Sequence, residues 1–215
     1  MKTRSQFTKY IPRSISRSVL LFVPLLMGCL GISQTTQAVT PPPDGGYSGF
    51  NTAEGQDALL SLDTNSGTYN TAVGFSALKS NVAGRFNTAI GAGALLTNTG
   101  KENTATGAGT LLNNTTGSEN TANGEGALFF NTTGNVNTAI GAHALERNTT
   151  GFFNTATGWS ALQSNTTGDS NTAIGDAALI MNISGNGNTA VGEQAMFFNT
   201  SGTQNTASVL KRLSA

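Results

Sequence analysis

The triplet Asn-Thr-Ala returns at Asn51, Asn70, Asn87, Asn103, Asn120, Asn137, Asn154, Asn171, Asn188 and Asn205, at intervals of 19, 17, 16 and then 17 residues throughout. A unit this short cannot bury a core by itself, so its neighbours must stack and form that core together. The product is a rod with like side chains repeated along each face. An enzyme site needs unlike groups converging from distant parts of a chain, which such a rod does not offer.

Each unit can be numbered from its Asn. Position three is always Ala, and position five is Gly in all nine full units. Position eight is Ala except at Thr110, and position nine is Leu except at Met196. A second Asn recurs at position twelve, as in Asn81, Asn114, Asn131, Asn148 and Asn165, with Gly near position fifteen, as in Gly117, Gly134 and Gly151. Asn-x-x-Gly is turn chemistry, because both residues tolerate left-handed backbone angles. A further corner at the position-five Gly leaves two short extended segments, Asn-Thr-Ala-x and x-x-Ala-Leu-x-x. Two strands and two corners make one coil of an all-β, parallel β-solenoid of about nine coils. At a strand spacing of about 4.8 Å the rod is about 40–45 Å long. Ala at positions three and eight suits a thin interior and the Leu supplies its bulk, while the Asn rows stack as amide ladders. The good helix formers around Ala-Leu allow a helical turn in place of the second strand.

Composition agrees with an ordered repeat. Charged residues are only 10% of the chain and Gly numbers 27, yet Ala, Leu and Gly keep strict phase, which disordered tracts do not. The zero net charge hides an asymmetry. Lys2, Arg4, Lys9, Arg13 and Arg17 hold five of the eleven basic residues, and all eleven acids lie beyond residue 40. The rest of the chain is mildly acidic, so no basic stripe remains to bind nucleic acid.

That basic start precedes the apolar run SVLLFVPLLMGCLGI, too short and Pro-interrupted for a membrane span and suited to an export signal. Cleavage after Ala38 is favoured. Leu26-Met27-Gly28-Cys29 resembles a bacterial lipobox, which would lipidate Cys29 and attach the chain to a membrane. The expected organisation is a signal peptide at 1–38, a Pro/Gly-rich linker at 39–50, repeats at 51–207 and a short tail at 208–215. The location is extracellular or at the cell surface. Cys29 is the only cysteine, so no disulfide forms within the chain and stability must come from the stacking.

Position four includes Ile90, Ile140, Ile174 and Val191, and positions ten and eleven include Phe129-Phe130 and Phe197-Phe198. These rows tolerate polar residues but are too apolar for a free surface. Two Ala and one Leu per coil are little burial against an ordering cost of about 1–2 kcal/mol per residue. Ile90, Ile140, Ile174, Val191, Phe129 and Phe197 are therefore expected to line an interface between chains, in parallel rows along one edge of the rod.

The segments NTAIGAGALLTN, NTAIGAHALERN and NTAIGDAALIMN resemble the head repeats of YadA-type trimeric autotransporter adhesins, most directly at Ala89-Ile90-Gly91, Ala139-Ile140-Gly141 and Ala173-Ile174-Gly175. The resemblance covers roughly residues 51 to 207, in a longer seventeen-residue unit. It implies a left-handed parallel β-roll, three chains packed together, and binding to a host or matrix surface. The stalk and membrane barrel of such adhesins have no counterpart in these residues.

Other chemistry is sparse. His143, at position seven, has no His, Cys or paired carboxylate in phase and is read as an exposed loop residue. No calcium-roll or phosphate-loop spacing occurs, so no enzyme activity, cofactor or metal is expected. The Asn-x-Ser/Thr triplets at Asn114, Asn131, Asn148, Asn165, Asn182 and Asn199 match glycosylation acceptors but are explained by the turn. The alternative function is ice binding through the stacked position-two Thr, although no Thr-x-Thr array is read along the chain.

Overall fold

The computed structural model describes residues 48–209. The signal peptide, Cys29, most of the linker and residues 210–215 lie outside the described residues. Ten strands follow in order: β1 (Thr52–Glu54), β2 (Thr71–Val73), β3 (Thr88–Ile90), β4 (Thr104–Thr106), β5 (Thr121–Asn123), β6 (Thr138–Ile140), β7 (Thr155–Thr157), β8 (Thr172–Ile174), β9 (Thr189–Val191) and β10 (Thr206–Ser208). They form one sheet in chain order, every pair parallel, with Thr opposite Thr and Ala opposite Ala throughout. The fold is a parallel β-solenoid with one strand per coil.

The second expected strand is absent, and no helical turn replaces it. Positions six to eleven fold as overlapping turns in which positive and negative φ alternate: His143 has φ +59° and Leu145 φ +50°. Alternate residues bond to neighbouring coils, as Leu145 N–H does to Ala161 O at 3.0 Å and Arg147 N–H to Gln163 O at 3.0 Å. The residues between close turns within the coil, as Ala144 N–H does to Gly141 O at 3.3 Å and Asn148 N–H to Leu145 O at 3.0 Å. A left-handed Leu costs about 1–2 kcal/mol. That cost is offset because the kink turns each Leu side chain inward, where most are fully sealed from solvent.

The interior is apolar in one half and amidic in the other. Ala at positions three and eight and Leu at position nine form a continuous buried column. Both Asn rows are buried beside it. Asn137 donates its backbone N–H (3.0 Å) and its Nδ2 (3.1 Å) to Asn120 Oδ1, and the same Nδ2 donates to Gly151 O (2.9 Å) of its own coil. Asn148 Nδ2 reaches that same Gly151 oxygen at 2.9 Å and Asn131 Oδ1 at 2.8 Å. One glycine carbonyl thus ties the two ladders together inside every such coil. It must belong to glycine, since a Cβ on Gly151 would stand 2.5 Å from Gly168 O.

The irregular units show what the period protects. The sixteen-residue unit lacks one residue between Asn98 and Gly100. Asn98 Nδ2 bonds Gly100 O at 2.9 Å, and Asn81 Oδ1 is left buried without a partner. From Asn98 onward the ladder runs unbroken to Asn199. The nineteen-residue first unit places its extra residues in a turn around Asp63. That turn is fastened by Ser66 Oγ donating to Asp63 Oδ2 at 2.7 Å and Asn65 N–H donating to Oδ1 at 3.0 Å.

Candidate functional site: the exposed faces of the coil

In each strand the central Ala points inward, so positions two and four share the outer face. That face is a ladder of ten Thr beside a mixed row of Glu54, Val73, Ile90, Thr106, Asn123, Ile140, Thr157, Ile174, Val191 and Ser208. The aliphatic members of the row are 37–45% exposed. Glu54 is the only charge on the face. Parallel sheets are usually covered on both faces, and a solvated sheet face ordinarily carries polar side chains. Here half of the position-four row is aliphatic. Thr-x-Thr occurs at Thr104–Thr106 and Thr155–Thr157, in two coils that are not neighbours, so it forms no continuous array.

Ile90, Ile140, Ile174 and Val191 all lie on this face. Phe129 and Phe197 do not share it. They stand past the position-five corner, on the turn segment, each half-buried against its neighbour in an edge-on pair. A Cβ on Gly109 would meet the Phe129 ring at 3.3 Å, so that ring lies over a glycine of the preceding coil. The single edge expected from the sequence is therefore two rows on different segments of the coil. Apolarity alone had grouped them, and the corner separates them.

Two features escaped the sequence reading. The residue before each Asn has positive φ, and in the first coils it is aromatic: Phe50, Tyr69 and Phe86 stack with centroids 5.1 Å apart and planes within 7°. The signal was the phase of these aromatics with the repeat. The second is a mostly apolar groove of about 710 Å³, lined by Thr97, Asn113, Phe130 and Arg147 together with Thr115, Thr132 and Thr149. The hydroxyls of the last three Thr donate to carbonyls of the following coil, so towards the groove their oxygens can act only as acceptors.

His143 is not simply an exposed loop residue. Its Nδ1 is buried without a hydrogen bond, 3.6 Å from Glu146 Oε2, and sits where a side chain on Gly126 would be. The Asn of four consecutive Asn-x-Thr triplets, Asn114, Asn131, Asn148 and Asn165, is sealed at 0% exposure with its amide in the ladder. The turn reading of those triplets has a physical basis, since a folded coil offers no free amide there. Among the described residues no group of three or more His, Cys, Asp or Glu is placed to hold a metal ion.

The chain matches no protein-family model, no curated protein and no solved structure.

Proposed function

We propose that the chain is an exported, non-catalytic head that associates with copies of itself through the sheet face and meets a host or matrix surface through its remaining repeated faces. One observation carries this reading: the aliphatic row Val73, Ile90, Ile140, Ile174 and Val191 stands half-exposed on an almost uncharged sheet. Val73 pairs with Ile90 and Ile174 with Val191 in adjacent coils, with Ile140 standing between these two patches, and exposed apolar patches mark interaction sites. Three copies, as the YadA-type resemblance implies, would bury those rows together. The turns and the Phe130 groove would then repeat along the outside, where many weak contacts acting together replace a deep pocket. Anchoring by a lipidated Cys29 belongs to the same proposal.

Sedimentation tests the association. The wild-type chain is expected at three times its monomer mass, and replacing Ile140 and Ile174 with Asn should weaken association while each coil still forms. Asn123 already occupies that row in β5. A compact monomer at micromolar concentration would overturn the oligomer.

A second reading is favoured by the same face. Thr at position two and Thr, Ile or Val at position four repeat about 4.8 Å apart along the rod and about 7 Å apart across it. An ordered array of hydroxyl and methyl groups at fixed spacing is what an ice-binding surface needs. Faceted ice crystals grown with the purified monomer would support this function; unshaped discs would exclude it.

A further inference from the structure

The groove beside Phe130 runs between two rows of the coil. Position eleven supplies Thr97, Asn113, Phe130 and Arg147 from successive coils, and position thirteen supplies Thr115, Thr132 and Thr149. The Asn between the two rows, at position twelve, is buried in the ladder, so its side chain does not fill the space. Crossing from the coil of Thr97 to that of Arg147 gives the groove a length of about 14 Å along the rod. Its volume of about 710 Å³ and its mostly apolar lining suit a small organic molecule.

Most donors in the groove are already used. The Thr115, Thr132 and Thr149 hydroxyls donate to carbonyls at 2.8–2.9 Å. Thr97 Oγ1 shares its proton between Leu112 O (2.9 Å) and Asn114 O (3.1 Å), and Asn113 Nδ2 spends one N–H on Phe129 O (3.2 Å). The concentrated source of free donors is the Arg147 guanidinium, exposed in the last coil of the groove. Lys79, Arg85 and Lys101 are held by Asp57, Ser66 O and Glu102. Among the described residues Arg147 is the basic side chain with neither an ion pair nor a hydrogen bond.

This layout selects its occupant. A sugar or a peptide carries donors and acceptors along its whole length, and away from Arg147 the groove offers mostly acceptors. A molecule with one anionic head and an apolar tail needs donors at one end alone. Its tail can cover the Thr hydroxyls without orphaning them, since each already holds a hydrogen bond. We propose that the groove binds a fatty acid, with the carboxylate on Arg147 and the chain laid along Phe130 and the Thr methyls towards Thr97. The proposal gives the groove of the head described above a ligand class, and it rests on that reading in taking this face to be free in the assembled protein.

Isothermal titration of the full-length chain with decanoate below its micelle concentration tests the proposal. Decyltrimethylammonium, with the same chain and the opposite charge, should bind at least about tenfold more weakly. Hexanoate should also lose about tenfold, through the apolar area it leaves uncovered. Arg147→Gln should weaken decanoate binding by about tenfold. Phe130→Thr, which gives position eleven the residue it already carries at Thr97, should weaken it severalfold. The Thr132 and Thr149 methyl resonances should shift on adding decanoate to the wild type, a readout that does not depend on how well either variant folds. The proposal is overturned if decanoate does not bind saturably, if decyltrimethylammonium binds as well, or if those methyls do not move. Capture by anionic phospholipid vesicles without binding of free decanoate would overturn it too. Sedimentation of the same samples reports association separately, so failure of decanoate binding and failure of the head reading are told apart.

Discussion

Asn137 places two N–H groups on the single side-chain oxygen of Asn120 and a third on Gly151 O of its own coil, all within 3.1 Å and shut off from solvent. The relation recurs along the position-one row from Asn51 to Asn205. It explains how so small an apolar column suffices: the other half of the interior is filled by amides whose hydrogen bonds are met by one another.

Asn137→Asp should be among the most damaging single changes, because it removes a donor and buries a carboxylate between two carbonyl oxygens. A loss of about 3–5 kcal/mol is expected in urea unfolding, the range for an uncompensated buried charge. Asn137→Ala should cost less, about 1–3 kcal/mol for the partners left unsatisfied.

The broken ladder gives a sharper comparison. Asn131 Oδ1 accepts from Asn148, whereas Asn81 Oδ1 accepts from nothing. Asn131 Nδ2 also donates to Asn114 Oδ1, where Asn81 Nδ2 reaches only Gly84 O. Asn81→Ala is therefore expected to cost about 1–3 kcal/mol less than Asn131→Ala, the worth of two net hydrogen bonds. Equal losses for the two variants would show that the side-chain ladder contributes little.

Leu145 and His143 are two residues apart and differ in role. Leu145→Asp should destabilise severely, since Leu145 is fully buried in the column. His143→Ala should cost far less, because its ring makes no hydrogen bond and is partly in solvent. Melting curves of the two variants check the assignment, and similar midpoints would refute it.

Asp63 sets the acid response of the first coil. The Ser66 hydroxyl, and after it the Asn65 N–H, hold its carboxyl below the usual carboxylate range. A folded pKa below the unfolded value, about 3.9, means that this support is complete above the unfolded value. It is lost as pH falls through the folded one. Asp63→Asn should flatten the pH dependence of amide exchange in the first coil at low pH and leave the middle coils unchanged.

What could be read in the sequence was whatever repeats by residue type. Ala at positions three and eight, Leu at nine and Asn at one and twelve announced the column and the ladders, since an invariant small or amide residue at fixed phase has few other uses. The sign of φ could not be read that way. Position seven carries Ser76, Gly93, Gly109, Gly126, His143 and Ser160, a mixture that conceals a shared left-handed backbone. The three glycines there were the only hint that the Ala-Leu segment would turn instead of extending. Ile140 and Phe129 were joined on apolarity alone, because where a coil bends decides which rows adjoin, and a bend has no composition of its own.

That hidden left-handed backbone supplies the last prediction. Val136 holds the position before Asn137 with φ +57°, and a β-branched side chain is the least comfortable occupant of that region. Gly187 fills the equivalent position three units later with φ +65°, so the coil accepts glycine there without rearrangement. Val136 is 38% exposed, and little buried apolar surface is lost with its side chain. Relief of the left-handed strain, about 1–2 kcal/mol, should outweigh the added freedom of glycine in the unfolded chain, about 0.4–1 kcal/mol. Val136→Gly is therefore expected to raise the melting temperature by up to about 2–4 °C, the shift that 1 kcal/mol produces in a chain of this size. Leu145→Gly relieves a similar angle but should lower it, because there about 2–5 kcal/mol of packing is lost with the side chain. Opposite signs at two residues sharing one backbone conformation would separate strain from burial, and a destabilised Val136→Gly would mean that the left-handed positions of this coil are not strained.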